Sequence, residues 1–301
     1  MPKNSFTLPS YAKINLHLRI LGKRADGFHE LCTIFQTVSL CDYLTFGESE
    51  MIDFTCDDIK IPVGDGNLTV RAAKLLQAKF DIKKGAKIHL EKKIPAPGGL
   101  GGGSSNAAIA LIGLVRLWKI EIEFEDLCKL GAAIGSDVPF FFCGGTALGT
   151  GRGTEITQME DFAVENLLIV TPNVDVSTGE AFAQINAPDL TNKSPKSILR
   201  ICRDTAESPY LRQPNLKNDF ETTVFELEPE AARVKKTLLD CGAKYALMSG
   251  SGASVFAIFD TNEQRQNTLN SLQIERNWRV FPVETVSRSA YQTSLRIDKH
   301  F

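Results

Sequence analysis

The 301-residue sequence has little of the material from which metal centres and disulfide frameworks are built. Its seven cysteines are scattered without a single C-x-x-C pair, and it contains only four histidines. This pattern supports neither a zinc site nor a set of disulfides. Scattered thiols are typical of reduced, cytosolic proteins, so we expect a cytoplasmic location.

Excess charge and long apolar runs are scarce as well. The net charge is −2, which gives no general basic field for nucleic acid or an anionic membrane. The longest apolar run, around residues 107–115, is too short to cross a bilayer. Residues 1–10 lack the apolar core of a signal peptide. We therefore expect a globular protein with neither a nucleic-acid nor a membrane partner.

Glycine, by contrast, is concentrated in one place. Residues 97–108 read P-G-G-L-G-G-G-S-S-N-A-A, with five glycines within six positions. Glycine permits positive φ and removes the Cβ, so this density indicates a backbone that approaches a ligand closely. Ser104, Ser105 and Asn106 can cap a helix that continues over residues 107–118. A turn that leads into a helix N-terminus is typical of phosphate sites.

Other interpretations of this glycine-rich loop fit less well. A flexible linker would be polar on both sides, whereas a strand-like run at 86–94 precedes the loop and an apolar helix follows it. A Walker A loop requires a lysine after its last glycine, but Gly103 is followed by serine. The dinucleotide-binding fingerprint G-x-G-x-x-G does not fit the spacing of these glycines either. Protein-kinase motifs are absent. Lys92 and Lys93, at the end of the preceding strand, either reach a phosphate or are simply solvated.

The remaining patterns predict an α+β chain with a boundary near residue 160. Residues 11–21 alternate apolar and polar side chains, which taken alone predicts a half-buried strand with a solvated polar face. We predict further strands at 31–46, 166–171 and 280–286, and a strand, glycine turn and strand over 245–259. We predict helices at 69–80, 124–134, 227–241 and 262–276. Residues 144–153 are expected to join strands at the domain edge, and residues 188–218 to be irregular.

The glycine-rich loop resembles the nucleotide-binding motif of the GHMP small-molecule kinases, which include galactokinase, homoserine kinase and mevalonate kinase. The resemblance implies a two-domain GHMP kinase fold, in which each domain is a mostly antiparallel sheet packed with helices and the active site lies in the cleft between them. Residues 1–160 would form the nucleotide-binding domain and 161–301 the substrate-binding domain. The implied cofactors are ATP and Mg²⁺. The predicted ATP-binding residues are Asn67, Lys92, Pro97, Gly98, Gly99, Leu100, Gly101, Gly102, Gly103, Ser104, Ser105 and Asn106.

Two further stretches, A-K-I-N-L-H-L at 12–18 and R-A-D-G-F-H-E-L at 24–31, resemble one branch of this family. That branch uses ATP to phosphorylate the 2-hydroxyl of 4-diphosphocytidyl-2-C-methyl-D-erythritol, in the non-mevalonate isoprenoid precursor pathway. The resemblance implies a small-molecule cytidine diphosphate substrate, an active-site role for Lys13 and a cytosine-pocket role for His29. Phe28 stands where relatives often carry tyrosine, so its ring can still stack but the hydroxyl contact is lost.

The resemblance assigns roles to several other positions. Asp137, in G-S-D-V-P, matches the catalytic aspartate of the family, although an aspartate at a turn is commonly a cap. Asn67 would lie by the nucleotide or, alternatively, cap the helix that follows it. A hairpin is the plain alternative for the glycine turn near residue 250. The predicted substrate-binding residues are Asn15, Phe28, His29, Thr178, Phe182, Gly250 and Gly252.

Together these residues predict phosphoryl transfer in which Asp137 takes or orients the substrate hydroxyl proton and Lys13 stabilises the transferring group. Phe28 and Phe182 would sandwich the cytosine, with His29 at its polar edge. The sequence assigns no magnesium ligand. Two alternatives stay open: another kinase of the family, of homoserine or mevalonate type, and a non-catalytic nucleotide- or RNA-binding module. We expect a monomer or a weak homodimer.

Overall fold

A computed structural model describes residues 5–185 and 217–296 of the chain, which form two β-sheets packed with helices. This confirms the predicted α+β class, with mostly antiparallel sheets. The first sheet has six strands and the second has four, all antiparallel in the second. Within the described residues, no helix is long and apolar enough to cross a membrane.

The first sheet is assembled from the N-terminal half of the chain. Its strands are β1 (Phe6–Lys23), β2 (His29–Ser49), β3 (Ile52–Cys56), β4 (Gly85–Glu91), β5 (Thr146–Thr150) and β6 (Glu155–Gln158). The helices of this half are α1 (Leu68–Phe80), α2 (Gly102–Trp118), α3 (Phe124–Ile134) and the short α4 (Phe140–Cys143). Helix α2 packs on both α1 and the sheet, because its apolar residues leave almost no polar face.

Strand β2 is the centre of the first sheet because its length lets it pair with three other strands. It runs antiparallel to β1 over nearly the whole of both strands. Its second half pairs with β4 and its first half with β5. The turn between β1 and β2, residues 24–28, therefore projects from one end of the sheet and carries the R-A-D-G-F stretch with it.

The second sheet follows in the order β10-β7-β9-β8. Its strands are β7 (Leu167–Pro172), β8 (Tyr245–Met248), β9 (Val255–Ile258) and β10 (Trp278–Val283). The helices of this half are α5 (Thr178–Gln184), α6 (Phe220–Leu227), α7 (Pro229–Asp240), α8 (Asn262–Ser271) and α9 (Arg288–Leu295). A single 3₁₀ turn, Leu272–Ile274, follows α8.

The two sheets are joined by an apolar core of their own. Ile14 and Leu16 from β1 pack there with Ile169 from β7 and Phe256 from β9. Strand β1 thus contributes one face to this joint core, whereas Lys13 and Asn15, on its other face near the middle of the strand, line a cleft. The two halves are held together through continuous apolar packing, which positions their loops against each other.

The last helix, α9, returns to the first half of the molecule. The Tyr291 ring is fully buried in the first core, and its hydroxyl donates to the Phe141 backbone oxygen at 2.6 Å. Burial raises the pKa of Tyr291. Gly144, at φ 65°, packs closely against this ring.

The predicted boundary near residue 160 lies between β6, the last strand of the first sheet, and β7, the first strand of the second sheet. After β10, however, the chain returns to the first half of the molecule, where α9 packs.

Several predicted elements differ from the structure at their ends. Helix α2 begins at Gly102, five residues before the predicted start. The predicted helix over 227–241 corresponds to α7, which begins two residues later than predicted, at Pro229, a residue favoured in the first turn of a helix. The separate helix α6 ends at Leu227, just before it. Residues 146–150, predicted to be a connection, form β5 inside the sheet. Most of the segment predicted to be irregular, residues 188–216, lies outside the described residues.

Candidate active site

The glycine-rich loop is clamped between β1 and the turn that joins β8 to β9. The Lys13 backbone N–H donates to the Leu100 oxygen at 2.9 Å, and the Ser249 hydroxyl donates to the Gly99 oxygen at 3.0 Å. A Cβ on Gly99, which has φ 72°, would lie 2.0 Å from the Ser249 oxygen. Only glycine therefore permits this approach between the two halves of the protein.

The loop ends at the N-terminus of helix α2. Gly101, at φ 69°, is the N-cap residue, and no side chain caps the helix. The first backbone N–H groups of a helix have no partner within the helix, and the helix dipole adds positive potential there. The N–H groups of Gly102, Gly103 and Ser104 thus have no partner within the helix, and their contact with a phosphate stays a prediction.

Lys13 lies directly beneath this loop. Its ammonium group is almost fully buried and donates to Asn15 Oδ1 at 2.6 Å and to the Gly99 oxygen at 2.9 Å. It also lies 3.3 Å from Asp137 Oδ2 and 5.7 Å from the centroid of the Phe35 ring. The alternation of β1 brings Lys13 and Asn15 to the same face, but that face is the cleft floor and not solvent. The solvated polar face considered for residues 11–21 is therefore wrong at these positions.

Asp137 reaches Lys13 from the turn that follows helix α3. The helix ends at Ile134 with Gly135 as its C-cap residue, and the Val138 N–H donates back to the Gly135 oxygen at 3.2 Å. The side chain of Asp137 is 31% exposed, whereas that of Lys13 is 4% exposed. The carboxylate therefore opens into the cleft, and the lysine stands behind it.

These groups line one cleft of about 450 Å³ between the loop and the second half of the chain. Across it, Thr178 Oγ1 lies 2.8 Å from Ser251 Oγ, which joins the N-terminus of α5 to the β8–β9 turn. The predicted residues that line this cleft are Lys13, Asn15, Pro97, Gly98, Gly99, Leu100, Gly101, Gly102, Gly103, Ser104, Asp137, Thr178, Phe182 and Gly250.

A second cleft, of about 750 Å³, continues from the first and contains the residues predicted for cytosine. The His29 ring is stacked on the Phe182 ring, with centroids 5.0 Å apart. Phe28 is 48% exposed and is covered by the Arg152 guanidinium. Burial, together with the charge of Lys23, lowers the pKa of His29. The lowered pKa favours the neutral imidazole, which offers one donor and one acceptor.

Three residues predicted to bind ATP point away from the cleft, so these predictions need correction. Ser105 is fully buried, and its hydroxyl accepts from Ser10. The Asn106 amide donates to Ser10 and to Asp42. Since α2 begins at Gly102, Ser105 and Asn106 lie within its first two turns, on the side that faces the protein interior.

Lys92 is the third of these residues. It is buried beneath the loop and donates to Asp42 Oδ2 at 2.7 Å and to the Ile94 oxygen at 2.6 Å. Burial lowers the pKa of Lys92, and the neighbouring Asp42 carboxylate opposes that shift. Asp42, a residue that sequence analysis missed, also accepts from the Ile94 N–H at 2.8 Å. This buried pair supports the loop from below.

Two other residues predicted to bind ligands, Asn67 and Gly252, have structural roles in a helix cap and a turn. Asn67 is the N-cap of α1, where Oδ1 accepts from the Thr69 N–H at 2.8 Å and Nδ2 donates to the Pro62 oxygen. Its contact with a nucleotide stays a prediction. Gly252, at φ 90°, lies against Met248 behind the cleft and does not line it.

Three further residues at or behind the clefts were not predicted from the sequence. The Asn218 amide donates to the Met248 and Gly250 oxygens at 2.7 and 2.8 Å and so fixes the β8–β9 turn. Ser136 and Arg152 line both clefts. Ser136 lies in the G-S-D-V-P stretch and Arg152 in the glycine-rich turn, so both had a local signal in the sequence, whereas Asn218 had none.

The donor set of the first cleft fits a magnesium ion held largely by phosphates. Within the described ranges, no group of three or more histidine, cysteine, aspartate or glutamate side chains could hold a metal by itself. Mg²⁺ in nucleotide sites is commonly bound by one or two protein ligands together with phosphates and waters. Asp137 and Ser104 are the carboxylate and hydroxyl that line the cleft next to the loop.

Comparison with known proteins matches two family models to the chain. Residues 67–145 match the GHMP kinases N terminal domain, and residues 188–276 match the GHMP kinases C terminal model. The 4-diphosphocytidyl-2-C-methyl-D-erythritol kinase of Protochlamydia amoebophila is 41% identical over 84% of this chain and 84% of its own length. The enzyme of the same name from Thermoanaerobacter pseudethanolicus is 37% identical over 88% of this chain and 91% of its own length.

Solved structures agree with these relatives. A crystal structure of 4-(cytidine 5'-diphospho)-2C-methyl-D-erythritol kinase superposes with a TM-score of 0.73 at 30% identity, covering 94% of this chain and 99% of that one. Homoserine kinase from Cytophaga hutchinsonii superposes with a TM-score of 0.68 at 20% identity, covering 94% of this chain and 96% of its own. The second likeness concerns the fold alone.

Proposed function

The chain belongs to the GHMP kinase family and is a small-molecule kinase, and we propose that it phosphorylates the 2-hydroxyl of 4-diphosphocytidyl-2-C-methyl-D-erythritol with ATP. Relatives that carry the name of this kinase are 36–41% identical to the chain over most of its length. The observation that carries the proposal is the 3.3 Å contact between Lys13 and Asp137 in the cleft beneath the glycine-rich loop.

In this proposal the glycine-rich loop and the N-terminus of α2 hold the triphosphate through backbone N–H groups. Asp137 orients the substrate hydroxyl and accepts its proton as the oxygen attacks the γ-phosphorus. The Lys13 ammonium offsets the negative charge on the transferring phosphoryl group. A bound Mg²⁺ would neutralise phosphate charge, and the Ser104 hydroxyl is a protein group placed to hold it together with phosphates and waters.

The substrate pocket is assigned to the second cleft. Phe28, His29 and Phe182 line it, and neutral His29 offers the donor and acceptor that a cytosine edge requires. We propose that the enzyme works in the cytoplasm, where ATP is abundant, as a monomer or weak homodimer. Homoserine and mevalonate kinases share the fold at 20% and 17% identity, which supports no substrate assignment for this chain.

The proposal is tested by presenting the purified protein with ATP, Mg²⁺ and a panel of acceptors. We expect ADP formation with 4-diphosphocytidyl-2-C-methyl-D-erythritol and none above background with homoserine or mevalonate. A coupled ADP assay gives the rates, and phosphorus NMR of the product locates the new phosphate. Turnover of homoserine or mevalonate in place of the cytidine compound would contradict the proposal.

Replacing Phe182 with alanine is expected to raise KM for the cytidine substrate while KM for ATP changes little. The ring lies between His29 and Phe220, with centroid distances of 5.0 and 4.8 Å, and loss of a base-stacking surface costs about 1–3 kcal/mol. The expected rise in KM is thus on the order of 5- to 150-fold. Phe124→Ala, at the start of α3, is the matched control. Equal changes in both KM values would refute the stacking role.

A further inference from the structure

Arg152 is held in an unusual position over the exposed ring of Phe28. Its Cζ atom lies 3.8 Å from the centroid of that ring. The residue stands between Gly151 and Gly153, which have φ values of 65° and 87° and so form a tight turn between β5 and β6. The Leu31 N–H donates to the Gly151 oxygen at 2.7 Å. The turn is thereby fixed to the start of β2, next to the residues predicted for cytosine.

The guanidinium has no polar partner among the residues that the structure describes. Its Nε is buried without a hydrogen-bond acceptor. Asp26 is the carboxylate that faces it electrostatically, but Asp26 accepts from Arg24 Nε and from the Phe28 N–H. A guanidinium that stacks on a ring through its flat face keeps its N–H donors free at the edge. Leaving a buried donor unpaired is unfavourable, so this arrangement suits an acceptor brought by a ligand.

The position of Arg152 relative to the two clefts indicates what that ligand group is. The clefts share five lining residues, which are Leu31, Ser136, Arg152, Thr178 and Phe182. Arg152 is the charged member of this set. In the proposed substrate, a diphosphate separates the cytidine from the hydroxyl that is phosphorylated. With the base in the second cleft and the hydroxyl at Asp137, the diphosphate has to pass through the junction where Arg152 lies.

We propose that Arg152 binds the diphosphate of the substrate and so selects a cytidine diphosphate derivative over an uncharged cytidine derivative. This inference rests on the proposed function. The planar guanidinium can donate two parallel hydrogen bonds to phosphate oxygens, and charge-assisted bonds of this kind are stronger than neutral ones. Phe28 acts as the platform that orients Arg152, a role that needs a ring but no hydroxyl.

The experiment compares the binding of CDP and cytidine to the wild-type protein and to Arg152→Gln by isothermal titration calorimetry. We expect the substitution to weaken CDP binding on the order of 10- to 100-fold, because charged hydrogen bonds are lost. Cytidine binding should change less than about threefold, because cytidine lacks the diphosphate. Arg152→Lys, which keeps the charge but not the planar fork, should lie between the two. Arg265→Gln, at a half-buried arginine of α8 that lines neither cleft, is the control for loss of one positive charge.

Steady-state kinetics provide a second readout. KM for the cytidine diphosphate substrate should rise in Arg152→Gln while KM for ATP stays near its wild-type value. Equal loss of CDP and cytidine affinity would overturn the inference, since Arg152 would then only support the shape of the pocket, and unchanged CDP affinity would overturn it as well. A wild-type protein that binds neither ligand would overturn the proposed function together with this inference, so the two failures are distinguishable.

Discussion

Replacing Asp137 with asparagine is expected to lower kcat by about 10²–10⁴-fold while KM for ATP stays within about threefold. Asparagine has nearly the same shape, but its amide cannot accept the proton of the substrate hydroxyl. The side chain of Asp137 is 31% exposed at the cleft and lies 3.3 Å from Lys13, so the substitution removes a charge without emptying a core position. The main effect is therefore expected in the chemical step, with some loss of stability because the buried Lys13 ammonium loses its carboxylate partner.

The measurement is steady-state ADP formation with saturating ATP and cytidine substrate, accompanied by thermal unfolding of each variant. Asp240→Asn is the matched control, because Asp240 forms an exposed ion pair with Lys236 far from the described clefts. The control should retain wild-type kcat. Near-normal turnover in Asp137→Asn would refute the assignment of the catalytic base.

Replacing Lys13 with alanine is expected to cost about 10²–10⁴-fold in kcat as well, through a different physical effect. The ammonium group is buried, so its charge is poorly screened by water and acts strongly on a phosphoryl group in transfer. Its loss also removes the donor that Lys13 gives to Asn15 Oδ1 and leaves the Gly99 oxygen with the Ser249 hydroxyl as its donor. Some loss of stability is therefore expected together with the loss of rate.

Two comparisons separate these effects. Lys236→Ala is the control, because Lys236 forms an exposed ion pair with Asp240 on the surface. This variant should keep both kcat and the unfolding temperature near their wild-type values. A double variant, Lys13→Ala with Asp137→Asn, should cost little more than either single change if the two residues act on one step. Full additivity, with each substitution multiplying the other's loss, would contradict a joint role in phosphoryl transfer.

The start of helix α2 illustrates how far local sequence patterns reach. Glycine density correctly predicted a tightly packed backbone that leads into a helix N-terminus, because both properties are local. Its binding of a phosphate stays a prediction. The pattern placed the helix start after Ser104, Ser105 and Asn106, since these residues are good caps. In the structure Gly101 takes the N-cap position, and Asn106 turns inward to the buried Asp42 carboxylate. Asp42, which is distant in the sequence, therefore holds the Asn106 side chain in the interior and away from the cleft.

The polar face of β1 is a second case in which a local pattern was correct but incomplete. Alternation predicted that Lys13 and Asn15 share a face, and resemblance to the GHMP kinases predicted that Lys13 works with Asp137. The periodicity could not say whether that face meets water or a cleft. The turn after α3 and the β8–β9 turn decide this, because they cover the face from segments more than 100 residues away in the chain.

By itself, the sequence determined the class of fold, the position of the glycine-rich loop and the identity of the Lys13 and Asp137 pair. It could do so because alternation, helix periodicity and glycine spacing act over a few residues, and because the family motifs are long. Only the tertiary structure decided that Lys92, Ser105 and Asn106 support the loop from inside, and that Arg152 lies over Phe28 between the two clefts. Such contacts depend on the packing of distant strands, which fixes the direction of each side chain.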